Sequence, residues 1–170
     1  REREQELVDR WTKSAGVPAI TTGLAVVDAL IALRAKKIGF VSCYPPSLTE
    51  ASNQYWKSHG FEIGQVAGSF NEDSNFHPIY SLRADNASEA LAQLSVDKHD
   101  AIILLGTGMP TLQTISNVID RNGPPVLSCM LCLAWRCVQS IIGRNPEVDT
   151  IKAWSNGAGW VSRLKARQVQ

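Results

Sequence analysis

Ala101-Ile102-Ile103-Leu104-Leu105-Gly106-Thr107-Gly108-Met109-Pro110-Thr111 decides the fold. Five apolar residues in succession suit a strand covered on both faces, as in a parallel sheet with helices above and below. Gly106 and Gly108 let the chain turn sharply and bring backbone close to a ligand. Pro110 fits the first turn of a helix, where its missing N–H is no loss, so a helix is predicted over residues 110–121. The free amides at such a start favour an anion, a carboxylate or phosphate, in the crevice they face.

The same alternation runs outward in both directions. Upstream, helical composition covers residues 2–15 and stops at Gly16-Val17-Pro18, and residues 19–21 are extended. An apolar helix is predicted over residues 23–35, with Thr21 or Thr22 as its cap, followed by a strand over 37–43. Pro45 and Pro46 open a helix reaching Ser58, Gly60 closes it, and residues 61–67 form a strand. A polar loop spans 68–82 and a helix 86–94. Downstream, Asn122-Gly123-Pro124-Pro125 forces a turn, Val126-Leu127 is a very short strand, and a helix covers 129–142. Signals after Arg144 are weak, and Trp154, Trp160 and the basic end from Arg163 to Arg167 read as a poorly ordered tail. Strands separated by helices of this length imply β-α-β units and a doubly wound parallel sheet sandwiched by helices.

Whole-chain numbers fit one domain: 170 residues, 44% hydrophobic, 17 basic against 16 acidic residues and a net charge of +1. Such a balance gives no field for gathering nucleic acid. No apolar run approaches the roughly 18 residues of a membrane span, and Arg1-Glu2-Arg3-Glu4-Gln5-Glu6 is unlike a signal peptide. The expected compartment is the cytoplasm, with the cysteines as reduced thiols.

Ligands of doubly wound sheets sit at the carboxyl ends of the strands, which puts weight on Ser42, Cys43 and Tyr44, on Gly106, Thr107 and Gly108, and on Ser128, Cys129 and Met130. None of these groups carries a histidine or carboxylate. His59, His77 and His99 fall in loops, without ligand spacing, and a surface or hydrogen-bonded role is expected for each; no metal site is expected. Cys43 has two readings: a nucleophile whose pKa is lowered by the helix start at Pro45, or a small apolar residue in packing. Cys129-Met130-Leu131-Cys132 has the C-x-x-C spacing of a redox dithiol, but Met and Leu between the thiols suit packing better. A dinucleotide loop at Gly106-Thr107-Gly108 lacks its third glycine, since Thr111 stands there.

The runs Val17-Pro18-Ala19-Ile20-Thr21-Thr22, Ala25-Val26-Val27-Asp28-Ala29-Leu30 and Ile38-Gly39-Phe40-Val41-Ser42-Cys43-Tyr44 resemble the aspartate/glutamate racemase superfamily. Within it, the branch holding maleate cis-trans isomerase and arylmalonate decarboxylase is the nearest. Glu50, the strand and glycine loop, and Pro125-Val126-Leu127-Ser128 followed by Trp135 extend the resemblance over residues 14–143. It implies two similar α/β halves with the active site in the cleft between them, and no cofactor or metal. It also implies a pair of cysteines, one from each half, that move a proton at the carbon next to a carboxylate or attack an alkene. Such chemistry builds enediolate charge, which preorganised donors stabilise.

Carried over by position, Tyr44 matches a tyrosine that hydrogen-bonds the substrate carboxylate. Thr107 and Gly108 match a loop whose amides do likewise, and Ser128 joins this substrate-binding set. Gly106 stands where the second-half cysteine belongs, as glycine naturally does at one of the two sites in the arylmalonate branch. The first-half cysteine is expected upstream of Val17, in residues before Arg1. The division implied is a remnant of the first half at 1–35, the second α/β half at 36–127, a helix returning to the first half at 128–143 and a tail at 144–170. The expectation is a cofactor-independent isomerase or decarboxylase acting on a small carboxylic acid through one catalytic thiol, with a homo-oligomer as the assembly. The alternatives are a non-catalytic remnant or carboxylate-binding domain, and behind them a C-x-x-C redox protein.

Overall fold

Uninterrupted apolar runs become strands only where both faces are covered, and two segments of this chain meet that condition fully. In the computed structural model, which describes residues 2–69 and 81–168, β1 (Lys37–Ser42) and β3 (Ala101–Leu104) lie side by side at the centre of a four-stranded sheet. Ile38, Phe40, Val41, Ile102, Ile103 and Leu104 are shielded completely from solvent. With β2 (Glu62–Gly68) and β4 (Val126–Ser128) outside them, the order is β2-β1-β3-β4 and every pairing is parallel. Registers run Ile38 to Ala101 and Val41 to Leu104 across the centre, then Ile102 to Val126 and Leu104 to Ser128. The chain thus has the doubly wound α/β class that its alternating pattern implies, and the strand order reverses between β1 and β3, where such sheets open a crevice.

Helices α1 (Glu2–Ala15), α2 (Thr22–Ala32), α3 (Pro46–Ser58), α4 (Ala84–Ala92), α5 (Leu112–Ser116), α6 (Cys129–Ile141), α7 (Val148–Ser155) and α8 (Val161–Gln168) flank the sheet. Thr21 caps α2, its hydroxyl oxygen accepting the Leu24 N–H at 3.0 Å. Buried Ala25, Val26, Val27, Ala29 and Leu30 make α2 a core helix; it packs chiefly on α6, and an Asp28–Arg136 ion pair of 2.6 Å joins the two. Glu4 of α1 accepts hydrogen bonds from the Thr21 and Tyr55 hydroxyls, which ties α1 to the α2 cap and to α3. Among the described residues no helix is long and apolar enough to cross a membrane.

Two expectations are corrected. The helix predicted over 110–121 is only Leu112–Ser116; Val118 and Arg121 then close three-residue turns onto Ile115 and Val118. Thr111, Thr114, Ile115, Val118 and Ile119 are β-branched and Asn117 is a poor helix former, so little intrinsic propensity favours extension. The stretch after Arg144 is ordered into α7 and α8. Ile151 is fully buried, Trp154 and Trp160 pack against the core, and the Trp135 indole N–H donates to Thr150 Oγ1 at 3.1 Å. The other boundaries agree or shift by at most three residues. Residues 70–80, which include His77 and most of the expected polar loop, lie outside the described residues.

His99 is one of the hydrogen-bonded histidines the sequence led us to expect, in an uncommon place. Between Ile38/Ile63 and Phe40/Val66, β2 spends three residues against two of β1, a β-bulge. The freed N–H of Gln65 donates to His99 Nε2 at 3.0 Å, and the imidazole is buried against Gly39 and Gly64. A β-carbon on Gly64 would overlap that ring nitrogen. Gly64→Ala is therefore expected to cost about 2 kcal/mol through overpacking, measured as a lower urea midpoint. A midpoint unchanged within error would show that the imidazole does not fill the bulge.

Candidate functional site

β1 and β3 end together. Beyond the last regular pair, the Leu105 N–H donates to Val41 O at 2.8 Å, which carries the ladder one residue further and sets Gly106 beside Cys43. The Cys43 thiol donates to Leu105 O at 3.4 Å. Gly106 has a φ of +96°, in the region that glycine alone occupies without strain, and a β-carbon built on it would overlap Cys43 Sγ. Two independent constraints thus hold residue 106 to glycine.

Two further groups converge there. The Gly106 backbone lies close enough to the Tyr44 hydroxyl and the Cys129 thiol to favour the charged form of each. Tyr44 comes from the turn after β1 and is half-buried; Cys129 is the first residue of α6, directly after β4. Burial pushes the Tyr44 phenol up to about 12, the nearby Cys129 and Cys43 sulphurs push the same way, and the Gly106 amide opposes them. Burial also drives Cys129 up to about 11, against the pull of the same amide. Cys132 is raised by burial and then by Cys129.

Cys43 is raised as well, by burial, with its own backbone amide pulling weakly the other way. Of the two readings of Cys43, the one in which the α3 start lowers its pKa is therefore overturned, and burial in packing is the one the structure favours. Positions 45 and 46, at the N-cap and first turn, are both proline, so two of the four free amides that make a helix start electropositive are missing and its field is weakened. With the side chain only 3% exposed, desolvation wins. Cys43, Cys129 and Cys132 are all buried free thiols that stay protonated near neutral pH.

Thr107 and Gly108 stand exposed on the rim of the crevice, followed by Met109, which is buried. The Ser69 hydroxyl, at the end of β2, donates to Met109 Sδ at 3.5 Å, and the Ser69 N–H donates to Ser42 O at 2.8 Å. The glycine loop is thereby held at both ends, by Leu105 and by Met109. Because α5 is a single short turn of helix, the loop's own amides, not a helix start, are the donors available to an anion. Ser128 is buried and its hydroxyl oxygen accepts the Leu131 N–H at 3.2 Å, capping α6. Ser42 bonds Thr49 and Tyr44 N–H in the same manner and shapes the turn that presents Tyr44.

The structure thus gathers Cys43, Tyr44 and Gly106, sets Thr107 and Gly108 on the rim, and turns Ser128 toward its helix. Cys129 was weighed as a strand-end residue but not carried into the substrate-binding set. The C-x-x-C spacing draws attention to its pairing with Cys132, whereas its position immediately after a strand was the better signal. Among the described residues, no three His, Cys, Asp or Glu side chains lie close enough to hold a metal ion.

Residues 1–152 match a family model described as arylmalonate decarboxylase. A maleate isomerase from Alcaligenes faecalis is 28% identical over 126 residues, which is 74% of this chain and 49% of the relative. The solved structure of a maleate isomerase from Pseudomonas putida S16 superposes with a TM-score of 0.74 at 24% identity, covering 91% of this chain and 64% of that one. A mutant Nocardia farcinica maleate cis-trans isomerase, solved with a covalently bound succinylcysteine intermediate, gives 0.70 at 21% identity, over 82% and 58%. These structural likenesses establish the fold. The chain spans about half the length of the curated relatives it matches.

The raised phenol gives a test of the cluster. A group whose folded pKa lies above its unfolded value stabilises the fold below the unfolded value and loses that contribution as pH rises through the folded one. For Tyr44 the window runs from the ordinary tyrosine value near 10 to about 12. The stability difference between the natural chain and Tyr44→Phe is expected to shrink across that window, followed by denaturant midpoints. A difference that stays constant with pH would place the phenol in open water.

Proposed function

The chain belongs to the arylmalonate decarboxylase family, and on that premise we propose that it contributes one half of a cofactor-independent isomerase- or decarboxylase-type site for a small carboxylic acid. The observation that carries the reading is the packing of Cys43 Sγ where a Gly106 side chain would stand, at the shared ends of β1 and β3, with half-buried Tyr44 near the Gly106 backbone and Thr107 and Gly108 exposed beside them. A carboxylate placed on that rim takes hydrogen bonds from the Thr107 and Gly108 amides and from Tyr44, with Ser128 at the end of the neighbouring strand. These donors are fixed before substrate arrives, so they hold an enediolate at no cost in reorganisation.

Gly106 brings no side chain to the reaction. The thiols on this half are protonated, which suits proton donation better than attack by thiolate. In the decarboxylase form, the electrons of the breaking carbon–carboxylate bond pass to the retained carboxylate as an enediolate while carbon dioxide leaves. A thiol then protonates the carbon and is itself reprotonated from water. Cys43 is the donor we assign on this half, facing a second thiol expected from residues before Arg1. The Nocardia farcinica neighbour, with its succinylcysteine, is an example of a cysteine acting on a four-carbon acid in this fold.

A second reading, a carboxylate-binding domain without catalysis, is favoured by the near-complete burial of Cys43. Incubation of the full-length protein with maleate and with an arylmalonate in deuterated water, followed by NMR, separates the two. Turnover is expected with deuterium at the carbon that bore the lost carboxylate, or with fumarate as product. Cys43→Ala is expected to lower kcat by about 100-fold or more with a smaller change in KM, and Tyr44→Phe to raise KM by about tenfold. Binding of both acids without turnover would establish the second reading, and absence of binding would overturn both.

A further inference from the structure

At the amino end of the sheet, away from the crevice, α4, α5 and the turn before β4 enclose a cavity of about 360 Å³. Leu91, Leu94, Val96, Val118 and Val126 make up most of its apolar lining, and Arg121 is the one cationic residue lining it among the described residues. Its volume lies in the range of small-molecule sites, and the mix of an apolar wall with few polar groups is what such sites share. Val96, in the loop before β3, is 40% exposed, a large aliphatic side chain left uncovered at this cavity. The hydroxyls of Ser88 and Thr114, on one wall, bond each other at 2.9 Å, and Thr114 also donates to Ala84 O, so that wall makes no further polar demand.

The charge around the cavity has one sign. An adjoining cavity of about 190 Å³ shares Arg121 and adds Lys152, and no Asp or Glu lines either among the described residues. Arg121 makes no ion pair among the described residues. An unpaired guanidinium beside an aliphatic pocket recognises a carboxylate joined to an apolar body. Among the described residues no aromatic side chain lines the larger cavity, which favours an aliphatic chain over a stacked ring.

We propose that this cavity is a second ligand site, taking a medium-chain aliphatic monocarboxylate with its carboxylate on Arg121 and its chain against Leu91, Leu94 and Val96. It is separate from the crevice of Tyr44 and Gly106 and does not depend on the function proposed for it.

The test is calorimetric titration of the full chain with hexanoate, with hexanamide as the uncharged control. Hexanoate is expected to bind with a Kd at or below about 10 mM, and hexanamide at least about threefold more weakly, the small factor reflecting the exposure of Arg121. Arg121→Gln is expected to remove the preference for the acid, Val96→Asp to weaken both ligands, and Tyr44→Phe to change neither. Equal affinity for acid and amide, an Arg121→Gln chain that binds as tightly as the natural one, loss of binding on Tyr44→Phe, or no binding of hexanoate would each overturn the proposal.

Discussion

The sulphur of Cys43 lies against the α-carbon of Gly106 on the side where a β-carbon would project, at the junction of the two most deeply buried strands. The contact exists because β1 and β3 are neighbours in a parallel sheet, so the first residues beyond them must pack on each other. It exists also because Leu105 extends their ladder to Val41 before the loop begins. Around it stand the positive φ at Gly106, the Tyr44 hydroxyl and Cys129 thiol close to the Gly106 backbone, and the exposed residues Thr107 and Gly108. A side chain at 106 would have to displace both the sulphur and the backbone.

Seen this way, the glycine is more than the loss of a thiol. The resemblance places a cysteine at 106, and this chain instead carries a thiol on the adjacent strand, packed into the space of a 106 side chain. Burial keeps that thiol, like Cys129, in its protonated form. In the function we propose, sulphurs that hold their protons and a rim of backbone amides suit charge developing on a carboxylate better than a thiolate attacking carbon. The sheet's other end serves a different physical purpose: His99 fills a bulge in β2, and Asp100 accepts from the Lys36 and Lys37 amides to fix the start of β1.

Much of the fold was legible because burial on two faces leaves little room for ambiguity. Ile102 to Leu104 and Ile38 to Val41 have no polar residue to signal a solvent face, and the sheet places both at its centre. Local signals failed where tertiary contacts decided. Pro110 suggested a long helix, but the β-branched residues after it and the pinning of Met109 left a short one. Trp154 suggested a loose tail because no periodicity surrounds it, yet Ile151 and the Trp135–Thr150 hydrogen bond anchor that segment. Tyr44, Gly106, Thr107 and Gly108 were legible as residues following strands. The effect of Cys43 on Gly106 was not, because residues 63 positions apart in the chain reveal their shared space only when the strands are paired.

A double-mutant cycle between Cys43→Ala and Gly106→Ala tests that shared space most directly. Alone, Gly106→Ala is expected to cost about 2 to 4 kcal/mol, from overlap with the sulphur and from backbone strain. In the Cys43→Ala background the cost is expected to fall by about 1 kcal/mol or more, leaving the strain. Additive costs in the two backgrounds would contradict the account, because they would show that the sulphur does not hold residue 106 to glycine.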